Sequence, residues 1–86
     1  MTWSIEVEPS AQRSSKRLPD KVRDAALTFV YGPLAENPRR VGQPLGRELS
    51  GLCSARRGSY RIIYRVVDER VLVQVVRVGL RSDVHR

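Results

Sequence analysis

The chain predicts an α+β domain in which a helical hairpin packs on one face of a twisted, mainly antiparallel sheet, in the order β-α-α-β-β-β. Three features of the sequence predict it. Apolar residues recur at helical spacing in the first half. From Arg47 onward the spacing turns strand-like, and short polar turns then break the second half at hairpin distances. With 86 residues, 41% of them hydrophobic, the chain suits a single domain over 1–86, near the small end of what one core can stabilise. No internal repeat or low-complexity linker marks a boundary.

The elements follow in order. "WSIEVE", Trp3 to Glu8, alternates as a short first strand does. Pro9 and Ser10 start a polar helix whose thin apolar edge is Ala11, Ser14 and Leu18. "LPD" interrupts at 18 to 20, with Pro19 suited to a first helical turn. Val22, Ala25, Ala26, Phe29 and Val30 then form one stripe of a second, amphipathic helix. Gly32-Pro33 should end or kink it, and "LAENPRRVGQPLG" reads as a loop. "RELSGLCSAR" is a strand broken near Gly51, Gly58-Ser59 a turn, and "YRIIYRVV" a strand. "DER" at 68 to 70 is a second turn before the β-branched strand "VLVQVVRVG".

The register of the last hairpin decides which side chains share a face, because a one-residue slip flips every one of them. A three-residue loop, Asp68 to Arg70, pairs Val67 with Val71 and sets Arg61 opposite Arg77. Arg61, Arg65, Arg77 and Arg81 then project together. Tyr60, Ile62, Tyr64, Val66, Leu72, Val76 and Val78 face the helices, with Gln74 the one polar interruption. A two-residue loop would separate Arg61 from Arg77. The three-residue loop gives the helices an apolar face to cover, and is preferred.

Charge is the strongest global signal. Sixteen basic residues oppose nine acidic ones, for a net charge of +7, and the only lysines are Lys16 and Lys21. Arginine grips phosphate bidentately and stacks on bases, so an anionic partner is expected, nucleic acid or acidic protein. One His and one Cys cannot close a metal shell, and no G-x-S-x-G, Walker A or G-x-G-x-x-G spacing occurs. No run approaches the roughly 18 apolar residues of a membrane span. The N-terminus lacks a signal-peptide layout, and the lone Cys53 fits a reducing compartment. The expectation is a cytoplasmic protein without membrane association. The remaining chemistry is a cationic sheet face, with Arg56 and Arg57 beside the four arginines above. His85 is the only side chain whose ordinary pKa lies near neutrality.

"LSGLCSARRGSYRIIYRV", followed by a short turn, a valine-rich strand and "RVGLRSDVHR", resembles the RelE branch of the RelE/ParE toxin superfamily. "LPDKVRDAALTFVYGPLAENPRRVGQPL" resembles that family's second helix and following loop. The resemblance implies a cytoplasmic type II toxin that cleaves mRNA in the ribosomal A site, through the RNA 2′-hydroxyl and without metal or other cofactor. It implies contacts to mRNA and rRNA, neutralisation by a cognate acidic antitoxin, and contact with operator DNA only through that antitoxin. Arg61 and Arg81 fall on the family's catalytic arginines, and Arg56 on a supporting basic residue; Arg57, Arg65 and Arg77 add phosphate-binding charge. His85 stands where a C-terminal tyrosine is common. Leu52 and Ser54 stand where some members carry lysines, and Leu80 where a polar or basic residue is more usual.

Three readings follow. The preferred one is a ribosome-dependent mRNA endonuclease with Arg61, Arg81 and His85 as the catalytic residues. The second is a ParE-like toxin that inhibits DNA gyrase without nuclease activity. The third is a catalytically weakened toxin serving mainly as an antitoxin-binding co-repressor. Arg61, Arg81 and an acid-base group favour the first; loss of the lysines favours the other two.

Overall fold

The computed structural model describes residues 2–46 and 51–80. Strand β1 (Ser4–Val7) leads through Glu8 into α1 (Pro9–Ser15), which opens on a proline whose fixed φ suits a first helical turn. Helix α2 (Asp20–Phe29) follows, then β2 (Gln43–Pro44), β3 (Leu52–Arg57), β4 (Tyr60–Val67) and β5 (Leu72–Leu80). Among the described residues the strands form one sheet in the order β1-β5-β4-β3-β2; β1 runs parallel to β5 and the other neighbours are antiparallel. The fold class is the α+β arrangement expected, with β2 as a short additional strand inside the segment read as loop.

Two helices cover one face. Ala11, Leu18, Ala26, Phe29, Val30 and Leu34 pack on Ile62, Tyr64, Val73, Val75 and Val78, all less than a tenth exposed. The expected stripe on α2 holds at Ala26, Phe29 and Val30, with Val22 packed at its margin. Ala25, at the edge of that stripe, is exposed. Gly32-Pro33 does not stop the helix: α2 passes directly into a π-helical turn, Val30–Leu34, that contains Pro33. A widened turn relieves the proline of its clash with the preceding turn and of the hydrogen bond it cannot donate.

The last hairpin departs from the expected register in two places. Val67 pairs with Leu72, so Asp68 to Val71 connect the strands, four residues instead of three. Asp68–Arg70 form a 3-10 turn, and Val71 closes it with a left-handed φ of 48°. A β-bulge then leaves Val76 without a partner, between the pairs Tyr64↔Val75 and Ile63↔Arg77. The longer loop slips β5 by one residue and the bulge slips it by one more in the same direction, so that beyond Val76 the alternation of faces is restored. In consequence Val73 and Val75, not Leu72 and Val76, lie under the helices. Gln74 does not interrupt that face; it lies on the other one and donates to Glu6 at 2.8 Å. Arg61 faces Gly79 instead of Arg77, yet Arg61, Arg65 and Arg77 still share the uncovered face.

Past Val7, the outer edge of β5 is covered by α1. The Ser10 hydroxyl donates to the Val76 carbonyl at 2.7 Å, and the Val78 N–H donates to Ser14 Oγ at 3.0 Å. Serines one helical turn apart thus match alternate residues of the strand and satisfy an otherwise open edge.

Candidate nucleic-acid interface

The uncovered sheet face gathers the arginines by pairing alone. β3 and β4 are joined by a two-residue turn in which Gly58 takes the left-handed φ of 51° that such tight hairpins favour. That turn sets Arg56 directly opposite Arg61. Arg65 lies between Leu52 and Gln74, and Arg77 lies beside Ile63, which in turn neighbours Ser54. Arg56, Arg65 and Arg77 are exposed and Arg61 is half-buried. Arg57 is placed elsewhere: it pairs with Tyr60 on the helix side, its guanidinium 4.8 Å from the centre of the Phe29 ring in a cation–π contact. Arg81 and His85 lie outside the described residues. β5 ends at Leu80 opposite Tyr60, at the end of the sheet that carries Arg56 and Arg61.

Tyr60 and Tyr64 point inward. The Tyr60 hydroxyl donates to the Ala25 carbonyl at 3.3 Å, and burial raises its pKa. Tyr64 is fully buried, donates to the Pro38 carbonyl at 2.5 Å, and is raised further, first by burial and then by Cys53. Burial also raises the Cys53 thiol, which favours its protonated form, with Arg39 acting weakly the other way.

A cleft of about 370 Å³ opens beside the arginine pair. Ser54, Arg56 and Arg61 form one side, and the segment 41–45 forms the other. That segment is held at several points. Tyr64 anchors Pro38, Arg39 pairs with Asp68, and the Leu45 N–H donates to the Leu52 carbonyl at 2.9 Å. A Cβ on Gly42 would collide with the Tyr64 hydroxyl and lie 2.8 Å from the Ser54 carbonyl oxygen, so only glycine permits this approach. Sequence reading left Gln43 in a loop and marked Ser54 only as a position where some family members carry lysine; glycine and proline flanking the carboxamide in "GQP" signal a turn, not a cleft.

A second cleft, of about 290 Å³, lies between α1 and β5, lined by Ser10, Arg13, Ser14, Arg17, Val76 and Arg77. Arg77 thereby joins the uncovered face to the basic side of α1. Among the described residues no group of three His, Cys, Asp or Glu side chains is placed to hold a metal ion. What the arrangement offers chemically is phosphate binding along an arginine-lined face, with a preformed recess beside its most closely paired cations.

Comparison with known proteins places this geometry. The family model for the ParE toxin of the type II toxin-antitoxin system parDE matches residues 5–85. The chain is 42% identical over 86 residues to Toxin RelG of Mycobacterium tuberculosis, covering 100% of this chain and 99% of that protein. It is 40% identical over 84 residues to Toxin RelE of the same organism, covering 98% and 87%. Among solved structures, the toxin-antitoxin complex RelBE2 from M. tuberculosis contains a similar chain. Its TM-score is 0.91 at 41% identity, covering 94% of this chain and 100% of that one.

Proposed function

This chain belongs to the RelE/ParE family of type II toxin–antitoxin toxins, and from that membership we propose that it is a ribosome-dependent mRNA endonuclease acting in the cytoplasm. The observation that carries this reading is the Arg56–Arg61 pair beside a preformed recess, on a sheet face that no helix covers among the described residues. RNA brings its own nucleophile, so the protein has to align, neutralise and move a proton. Arg61, supported by Arg56, holds the scissile phosphate and offsets the charge that grows on it as the 2′-oxygen attacks. Arg81, the residue that follows the end of β5, stabilises the same charge. His85 transfers the proton. The products are a 2′,3′-cyclic phosphate and a 5′-hydroxyl. Arg65 and Arg77 extend the field that holds mRNA and rRNA.

The partner that silences the toxin is an antitoxin, as in the RelBE2 complex. A net charge of +7 calls for an acidic segment that folds over the arginine face, and operator DNA is reached only through that partner. A second reading, gyrase inhibition without nuclease activity, draws on the ParE description of the matching family model and on Leu52 and Ser54 in place of lysines.

Primer extension on cellular mRNA after induction decides between them. Discrete cuts inside translated reading frames support the nuclease; intact mRNA with arrested supercoiling overturns it in favour of gyrase. Absence of both effects leaves antitoxin binding and co-repression as the function. The same map for Arg81→Ala and His85→Ala tests their roles, and wild-type cutting by either removes that residue from the mechanism.

A further inference from the structure

The geometry points to the cleft between the 41–45 segment and the Arg56–Arg61 pair as a nucleobase-reading pocket, with the Gln43 carboxamide as the specificity-determining group. This rests on the endonuclease reading above and adds to it a site for the base that adjoins the held phosphate.

A groove that only tracked phosphates would need cations and little else. This one has two unlike sides. Arg56 and Arg61 stand on one; the other is the 41–45 segment, whose lining residues include Pro44, Leu45 and one carboxamide, that of Gln43. Gln43 is cross-strand partner to Ser54, so an amide and a hydroxyl sit side by side next to the cations. That division suits a nucleotide, whose phosphate meets the arginines while its base lies against the aliphatic side and shows an edge to the amide. An amide carries donor and acceptor together, the complement of an adenine or other base edge that also shows both.

The wall is also built to stay put. Gly42 is pressed on Tyr64 and Ser54, Pro44 has a fixed φ, and Tyr64 and Asp68 tie down Pro38 and Arg39. An exposed amide on a mobile loop would discriminate weakly, because ordering it would consume the gain. Here the backbone on both sides of Gln43 is already ordered.

The test uses full-length toxin freed from its antitoxin and short single strands carrying 2′-deoxyribose, which cannot be cut. One position is varied through the four bases. Wild type is expected to rank the four over about tenfold. Gln43→Ala should compress that range to within about twofold, while Arg61→Ala weakens all four alike. Gln43→Glu, an acceptor without a donor, should move the preference toward a base that presents an amino group. Equal wild-type affinities, no measurable binding, or an unchanged ranking in Gln43→Ala overturns the pocket. Unchanged melting of Gln43→Ala shows that the lost ranking is not a folding defect. Cleavage maps separate this idea from the nuclease reading. Ranked binding by a toxin that never cuts RNA sinks the nuclease and keeps the pocket, whereas efficient cutting with unranked binding does the reverse.

Discussion

Arg61 and Tyr64 are three positions apart on β4 and do opposite work on opposite faces. Arg61 lies where phosphate would be held, so Arg61→Ala should lower the cleavage rate about 10²-fold or more while the protein still melts cooperatively. Rates are best read on translated mRNA with purified ribosomes. Tyr64 is the residue whose titration bears on stability. Burial holds its hydroxyl in the neutral form well above the ordinary value of ~10. Above that pH the unfolded chain sheds the proton and the folded chain keeps it, so stability is intact below ~10 and falls as pH rises beyond it. Denaturation midpoints from pH 9 to 11 should fall steadily for wild type and less steeply for Tyr64→Phe. Tyr60 and Cys53, raised in the same direction, contribute to the slope that remains. These duties were legible in the alternation of "YRIIYR", which assigns Tyr60, Ile62 and Tyr64 to one face and Arg61 and Arg65 to the other. The sequence did not reveal Gln43, because a polar residue in a proline- and glycine-rich loop looks the same whether or not a site is built around it.

At the level of elements, the sheet face survived an error in its register. Alternation locates a strand, but nothing in "DERVLVQVVRV" announces that Val71 turns left-handed or that Val76 bulges out. A β-branched residue is a poor occupant of positive φ, and valine-rich runs look alike when shifted by one. The two departures add to a shift of two residues, which preserves the face of each side chain, so the arginines stay together while Leu72 and Gln74, between loop and bulge, change sides. The α1–β5 contact was legible only in part. Ala11, Ser14 and Leu18 betrayed a buried edge, while Ser10 read only as part of a helix start and neither serine announced a bond to β5. Their hydroxyls complete the edge of β5, so Ser14→Ala should cost about 1–2 kcal/mol by leaving the Val78 N–H without its acceptor. Chemical denaturation checks this. A loss below a few tenths would mean that water replaces the hydroxyl.

For the whole molecule, the basic surface is not confined to one plane. Arg77 lies on the uncovered face and also lines the cleft with Arg13 and Arg17, so positive charge continues around the edge of β5 onto α1. Counting charges foresaw the sign of this surface; only the fold shows that it turns a corner. If α1 contributes phosphate contacts, replacing Arg13 and Arg17 with Gln should reduce the slope of log K against log salt by about 1–2 for ribosome binding. An unchanged slope would confine the contacts to the sheet face. The parallel pairing of β1 with β5 has a consequence in time. The chain's first strand finds its partner only in residues 72–80, and β5 is an interior strand, joined to β4 on its other side. A nascent chain that has not yet emitted this segment has an unpaired β1, no support for α1, and an arginine face missing Arg77. The arginine face therefore stays unfinished until β5 has been made, and whatever restrains the protein has the synthesis of everything before it in which to be ready.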